Sequence, residues 1–368
     1  MENEIINLNE YRGDKLRFAR MIKGYSLDDL GSILGVTRQN IHKMEVGQEP
    51  KDNQLSLLSK YLEVKPSFFY SERNTPVEEE QCHFRSVRSR TKTLTNTIMA
   101  RAELLDSLIK DIEQHFDLPE FKLPEIIIDL NSLEDIERIA ESLRRQWRLG
   151  NGPIANITII VENAGIIVTT MDGADERVDA FSLSRKRPII IRNSAKNNPC
   201  RYRFDLAHEL GHLIMHNGII TGCKKTEKEA NHFASAFLMP RVNFLNAVNR
   251  FPITKKNKYF NWPNLYKLKE YFKVSLKAIL YRAKTLGVIA EEQMRYGYIH
   301  INKKGWTKKE PLDDKIPTEK PSLLISLIAE LDFKTWKGLL SKLGLTDKLV
   351  HRLLPKVQFP QPNLRIVT

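Results

Sequence analysis

The chain has few cysteines, and their spacing fits neither a disulfide framework nor a cysteine-rich zinc site. The three thiols, Cys82, Cys200 and Cys223, are scattered through 368 residues and form no C-x-x-C pair. Disulfide-stapled domains and zinc ribbons need closely spaced cysteines. We therefore expect a protein of the reducing cytoplasm, stabilised by an apolar core.

Long apolar runs are also missing. Segments such as LPEIIIDL and SLLISLIAEL are much shorter than the roughly 20 residues that span a bilayer. The first residues, MENEIINLNEYRGDK, are acidic and polar, which is not typical of a signal peptide. Apolar residues make up 41% and charged residues 28% of the chain, as in soluble globular proteins. We expect no membrane partner, and the length favours two or three domains.

Acidic residues are outnumbered by basic ones, which gives a formal net charge of +13. Such an excess favours a polyanionic partner, most often nucleic acid. Because many basic proteins bind no nucleic acid, a DNA-reading element has to be found in the sequence as well.

Residues 14–70 have the layout of such an element. The pattern predicts five short helices, of which the second begins after Ser26, a suitable N-cap, and ends at Gly35. The third begins after Thr37 and ends at Gly47. Two helices joined by this short turn form a helix-turn-helix. The polar residues predicted to face outward from the third helix are Arg38, Gln39, Asn40 and Lys43.

These side chains suit the major groove, where Arg reads guanine, Gln or Asn reads adenine, and Lys contacts phosphate. Thr37 and the backbone N–H groups near it could hold a further phosphate. A plain helical bundle with a solvated polar face would give the same pattern. The segment 14–70, with Thr37-Arg38-Gln39 at the start of the helix and Glu45 at its end, resembles the XRE/Cro-like helix-turn-helix family. The resemblance implies a double-stranded DNA operator as partner and favours a homodimer.

The remaining chain is predicted to be mostly helical, with one small sheet. Hydrophobic periodicity is lost over about 71–90. We therefore predict a helix-turn-helix domain at 1–72, a linker at 73–92, a second domain at 93–305 and a helical C-terminal region at 306–368. The second domain begins with an amphipathic helix through about 93–116. Its predicted strands are GIIVTTM, VDAFSL and RPIIIRN. The fold class is therefore α+β.

The stretch RYRFDLAHELGHLIMH, residues 201–216, contains the zinc pattern H-E-x-x-H. His208 and His212 stand four apart, so on a helix both imidazoles can face one ion. Glu209 lies about 100° around the helix from His208 and can reach a metal-bound water. The alternative is that these are structural histidines beside a solvated glutamate.

A catalytic zinc needs a third protein ligand and one open position. The following helix, TEKEANHFASAFLMP, offers Glu227 and Glu229. Glu227 ranks first because Asn231, one turn later, can hydrogen-bond a ligand imidazole. His216 and His232 rank lower, since His216 lies about 12 Å along the helix from His208.

RFDLAHELGHLIMH followed by EKEANHFASAFLMP resembles the ImmA/IrrE family of zinc metallopeptidases, with similarity over about 95–300. The resemblance implies a zincin-like domain in which His208, His212 and Glu227 bind Zn²⁺ and Glu209 is the general base. It also implies a sheet edge, VDAFSL, that pairs with an extended substrate.

The sequence thus predicts a DNA-binding transcriptional regulator that carries a zinc-dependent endopeptidase. Glu209 would take a proton from metal-activated water and pass it to the leaving amine. Tyr202, Arg203 and His216 are the candidates for holding the oxyanion, and manganese or iron could replace zinc. The substrate would be a repressor-like protein or the chain itself. The alternative is a DNA-binding repressor or antitoxin whose metal domain is a non-catalytic sensor or scaffold.

Overall fold

The computed structural model describes residues 10–73, 75–84, 91–122, 132–171, 180–193, 198–255 and 259–362. The α+β class is confirmed, because most of the chain is helical and four short strands form one sheet. Within the described ranges, no helix is both long and apolar enough to cross a membrane.

The N-terminal unit has the five short helices that its sequence predicts, the last of them a 3₁₀ turn. The Ser26 hydroxyl accepts a hydrogen bond from the Asp29 N–H, and the Asp29 carboxylate accepts one from the Ser26 N–H, which fixes the start of the second helix. Gly35 ends this helix with φ of 66°, a left-handed conformation that favours glycine. The Thr37 hydroxyl accepts from the Asn40 N–H and opens the third helix. The elements are α1 (Gly13–Lys23), α2 (Leu27–Leu34), α3 (Arg38–Glu45), α4 (Asp52–Leu62) and the 3₁₀ turn Pro66–Tyr70.

The four strands lie in the order β1-β3-β4-β2. β2 and β4 are parallel, whereas β3 is antiparallel to both of its neighbours. The strands are β1 (Cys82–Phe84), β2 (Ile167–Met171), β3 (Ala180–Leu183) and β4 (Ile189–Asn193).

Both faces of the sheet are covered. Successive strand residues point to opposite faces, so Ile189 and Ile191 enter one apolar core and Ile190 enters the other. The first core contains the N-terminal helices, α5 (Lys92–Glu113) and the helices near the C-terminus. Because both faces are buried, most strand residues are apolar.

The second core is built around two long helices that pack side by side, α8 and α9. β3 lies against α8, and α6 lies against α9. The helices on this side are α6 (Leu133–Gln146), α7 (Ile157–Asn163), α8 (Pro199–Met215), α9 (Lys224–Leu238), α10 (Arg241–Arg250), α11 (Trp262–Phe272), α12 (Leu276–Thr285) and α13 (Glu291–Lys303).

Residues 82–84 form a short strand inside the segment 73–92 that is predicted to be a linker. A 3₁₀ turn, Glu79–Gln81, leads into β1, which pairs with β3. In this structure VDAFSL is therefore not a free sheet edge, although its residues 178 and 179 lie outside the described ranges. A three-residue strand is too short for its alternation of buried and exposed residues to be recognised, so periodicity does not reveal it.

The C-terminal region packs against the N-terminal unit. Its helices are α14 (Leu323–Glu330), α15 (Phe333–Lys342) and α16 (Asp347–Leu353), and they share the first core with α1 to α5. Buried ion pairs attach the preceding segment to the second core, with Lys269 Nζ 2.6 Å from both Glu310 and Asp313. The predicted boundaries at 72, 92 and 305 stay a prediction, and packing crosses them.

Glu63 links α4 to α16 and makes this contact sensitive to acid. Burial alone would raise the pKa of Glu63, but hydrogen bonds from Arg352, Lys23 and Lys348 outweigh it and lower the pKa to about 2, from 4.5. Because the folded pKa is the lower one, the carboxylate stabilises the fold above about pH 4.5 and loses this effect as the pH falls towards 2. We expect Glu63→Gln to lower the free energy of unfolding at pH 7 and to have a smaller effect, by about half, at pH 3, where part of the stabilisation is already lost. Denaturant titrations of both proteins at the two pH values would check this, and an equal difference at both would contradict it.

Candidate metal centre and nucleic-acid interface

The helix that carries H-E-x-x-H is held tightly inside the second core. The Asn198 side chain accepts from the Arg201 N–H and Pro199 occupies the first turn, so α8 begins at a well-defined point. A methyl group on Gly211 would lie 2.9 Å from the ring of Phe233 in α9. The glycine thus allows α8 and α9 to approach closely, which brings the side chains of both helices to one point.

Three side chains from these two helices converge. The Nε2 atoms of His208 and His212 are 3.0 Å apart. Glu227 lies opposite them, with carboxylate oxygens 3.6 Å from Nε2 of His208 and 3.5 Å from Nε2 of His212. Among the described residues this is the His/Cys/Asp/Glu group that could hold a metal ion. In a tetrahedral site, ligand atoms about 2.0–2.1 Å from the ion stand about 3.3–3.4 Å from one another. The spacing and the two-histidine, one-carboxylate donor set therefore fit Zn²⁺.

The outer nitrogens of both imidazoles have partners that favour the same tautomer. Nδ1 of His208 is 3.0 Å from Oδ1 of Asn231, the contact that the sequence predicted for Asn231. Because an amide oxygen only accepts, the His208 proton lies on Nδ1 and leaves Nε2 available for a metal.

The partner of His212 is His216, which in turn contacts Glu229. The Nδ1 atoms of His212 and His216 are 2.9 Å apart, and Nε2 of His216 is 2.9 Å from Oε2 of Glu229. With the carboxylate accepting from His216 Nε2–H, Nδ1 of His216 is left to accept from Nδ1–H of His212. Glu229, the second-ranked ligand candidate, thus lies two contacts away from the converging atoms, and burial lowers the pKa of His216.

Glu209 is turned towards the sheet. Its Oε2 accepts a hydrogen bond of 2.8 Å from the hydroxyl of Ser182 in β3. His208, Glu209 and His212 are all 0% exposed, whereas the Glu227 side chain is 18% exposed. The carboxylate that follows the first histidine is therefore held by a hydrogen bond from the neighbouring strand β3.

The outer face of α3 carries the residues predicted to read DNA. Ile41 and Met44 are buried, which leaves Thr37, Arg38, Gln39, Asn40 and Lys43 exposed. Arg38 makes an exposed ion pair with Asp28, at 3.4 Å. Glu45 is instead bound inward by Arg20, at 2.5 Å and 3.1 Å, and so ties α3 to α1. The helix thus presents a polar face to solvent.

Two family models match the chain. Residues 161–284 match the IrrE N-terminal-like domain of the Peptidase_M78 family, and residues 16–69 match a helix-turn-helix model. The chain joins an XRE-type helix-turn-helix to an IrrE-like domain. It is therefore a DNA-binding regulator with a metallopeptidase-family domain. The match to the IrrE-like domain, 161–284, covers fewer residues than the resemblance to the ImmA/IrrE family that the sequence suggests, about 95–300. A comparison with curated proteins gives no match.

A fourth imidazole, which the sequence did not reveal, lies near the metal centre and comes from a strand that precedes the matched residues 161–284. His83 of β1 is 0% exposed, and its ring stacks on that of His212 with a centroid distance of 5.6 Å. Burial, together with the imidazoles of His212 and His216, lowers the pKa of His83 to about 3, so the ring is neutral. Neither ring nitrogen hydrogen-bonds a described residue. No signal in the sequence connects His83 to α8. Ser182 could have been noticed, because it is the one polar residue of the apolar strand AFSL.

Two of the three oxyanion candidates are engaged elsewhere. The Tyr202 hydroxyl contacts Thr158 at 3.1 Å, and Arg203 forms a buried ion pair with Glu319 and donates to the carbonyl of Ile154. Neither side chain is available to the metal centre of the IrrE-like domain in this structure. Both side chains point away from the centre, towards α7 and the segment before α14. The spacing of H-E-x-x-H gives no information about this direction.

The side of the centre formed by Glu227 opens into a cavity of about 960 Å³. Glu227 and Asn231 form part of its wall, together with apolar and aromatic side chains from α8, α12 and α13. Lys224, Lys228 and Lys277 also line it. Solvent therefore reaches the Glu227 side of the centre through this cavity, whereas Glu209 itself is buried.

Proposed function

We propose that this DNA-binding regulator hydrolyses a peptide bond in a regulatory protein with a zinc-dependent endopeptidase. The observation that supports the proposal is the convergence of His208, His212 and Glu227, whose ligand atoms lie within 4.8 Å of one another. Glu209 directly follows the first of these residues in α8. Two imidazoles and one carboxylate are the protein ligands of many zinc hydrolases. Manganese or iron could occupy the same donors in the cell.

The residues of the chain divide the chemistry among them. Zn²⁺, when bound, would polarise the substrate carbonyl and make a water acidic. Glu209 would accept the proton of that water and return it to the leaving amine. Ser182 holds Oε2 of this carboxylate and so orients it. Asn231 and His216 hold the imidazoles of His208 and His212 in the tautomer that leaves Nε2 free to bind.

The helix-turn-helix suggests which proteins are cut. A peptidase tethered to an operator meets the proteins bound there, so a repressor-like partner or the chain itself is the substrate that we propose. Thr37, Arg38, Gln39, Asn40 and Lys43 would contact the double-stranded operator, with the chain acting as a homodimer on two half-sites.

Metal analysis tests the ligand set. We expect about one zinc per chain in the purified protein and much less than half of that in His212→Ala, because two ligands cannot replace three. His115→Ala, which removes an exposed histidine of the α5 region, serves as the matched control. Elemental analysis after gel filtration measures the content, and circular dichroism checks that both variants fold. Equal zinc in wild type and His212→Ala would refute the ligand set.

A second candidate is a regulator whose metal domain is a sensor or scaffold. The complete burial of His208, Glu209 and His212 favours it, since a polypeptide cannot reach Glu209 in this state. Loss of proteolysis in Glu209→Gln would exclude this candidate, because a scaffold does not need the carboxylate.

A further inference from the structure

The closed state of the candidate centre has an identifiable cause. Glu209 is fully buried, and the cavity of about 960 Å³ reaches the centre on the side of Glu227. A substrate backbone has to pass beside both the metal ligands and the base. Some element on the Glu209 side must therefore move before hydrolysis.

That element is β1. Ser182, which binds Glu209, lies on β3, and the strand directly outside β3 is Cys82–Phe84. His83 is the cross-strand partner of Ser182, so both side chains point to the face that α8 covers. There the His83 ring stacks on His212. β1 is thus the edge strand of the sheet. Its residue His83 lies opposite Ser182, which binds the proposed base, and stacks on the proposed ligand His212.

We propose that β1 is an autoinhibitory strand that occupies the place of an extended substrate. β1 runs antiparallel to β3, and a peptide added at the same edge could form the same backbone hydrogen bonds. The proposal rests on the proposed peptidase function and adds its regulation: a segment of the target protein displaces β1 and pairs with β3 in its stead.

The contacts of β1 are consistent with a strand that can leave. It spans three residues, and two buried ring nitrogens of His83 have no hydrogen-bond partner among the described residues, which costs free energy in the closed state. The incoming peptide would replace the backbone hydrogen bonds that β3 loses when β1 leaves. The exchange of one strand for the other therefore costs little free energy in backbone pairing.

The residues before β1 are fastened independently of it. The Arg185 guanidinium donates to the carbonyls of Thr75 and Pro76, and Arg73 pairs with Glu103 of α5. Displacement of β1 would therefore leave the packing between the helix-turn-helix and α5 in place. Because β1 lies between these two elements in the chain, the DNA-binding unit is directly connected to the strand that closes the peptidase.

A disulfide to β3 can lock β1 in place. Leu183 lies directly opposite Cys82, and cross-strand Cα atoms about 4.5–5.5 Å apart fall within the disulfide range of about 4.4–6.8 Å. We would introduce Leu183→Cys into the zinc-loaded full chain with Cys223→Ser, which removes the exposed thiol. The same protein with Cys82→Ser cannot form the bridge and is the control.

The probe is fluorescein-labelled β-casein, an unstructured polypeptide. We expect oxidation to lower its turnover at least tenfold in the lockable protein, reduction to restore it, and the control to be insensitive. His83→Pro, which weakens β1, should raise turnover above wild type; DNA binding checks its fold. Unchanged turnover on locking would overturn autoinhibition alone. No turnover in any form, His83→Pro included, would refute the peptidase activity and with it the autoinhibition.

Hydrogen exchange gives a readout that needs no catalysis. Backbone amides of residues 82–84 should exchange at least tenfold faster than those of β4 residues 189–191, because β1 opens locally whereas β4 opens with the core. The disulfide should remove this difference. Equal exchange in β1 and β4 of the unlocked protein would mean that β1 is a permanent part of the sheet, and the proposal would be wrong.

Discussion

Glu209→Gln is expected to reduce proteolysis by about 10²–10⁴-fold, the usual contribution of a general base. The substitution keeps the size of the side chain, and the Gln oxygen can still accept the hydrogen bond from Ser182. It removes the ability to accept a proton. Zinc content and DNA binding should therefore stay at wild-type values, which separates loss of chemistry from loss of the site.

The unknown substrate calls for an unbiased measurement. Cells expressing wild type or Glu209→Gln would be compared by labelling new protein N-termini, with Glu134→Gln as the control because it makes the same change at an exposed position of α6. N-termini present with wild type and Glu134→Gln, and missing with Glu209→Gln, identify substrates. If all three proteins give the same N-termini, the proposed peptidase activity is wrong, and the metal domain acts as a sensor or scaffold.

Local signals made the helices and their ends predictable. Ser26, Gly35 and Thr37 act within a few residues of their own position, and each performs the capping role that its type suggests. The metal group could be inferred for a related reason. His208 and His212 share one helical face, and Asn231 shares a face with Glu227, so two helices in contact suffice to bring the four side chains together.

Contacts between distant segments were not predictable. β1 is too short to show a period, and nothing near His83 indicates that it lies on His212. The role of the C-terminal region escaped for the same reason: Glu319 is an ordinary glutamate in the sequence, yet it is buried against Arg203. Pairing partners of single charged residues are set by tertiary packing, which one sequence does not encode in any local pattern.

Replacing Arg38 and Asn40 together by Ala is expected to abolish sequence-specific DNA binding. Both side chains are exposed on the outer face of α3, and each base contact of this kind contributes about 1–3 kcal/mol. Two of them correspond to a loss of about 30-fold to 10⁴-fold in affinity for the operator. Non-specific binding should change far less, since most of the +13 charge is retained.

The operator can be found by selecting random duplexes with the wild-type protein, and binding is then measured at several salt concentrations. Lys43→Ala should weaken binding to all sequences alike and reduce the salt slope by about 1, as expected for one lost phosphate contact. Lys60→Ala removes the same charge from the exposed side of α4 and should leave specific binding unchanged. If the double variant selects the same sequence with the same footprint as wild type, α3 is not the recognition helix. Metal content has to remain at one zinc per chain throughout, because α3 packs on α1 and α2 in the first core, whereas α8 and α9 belong to the second core.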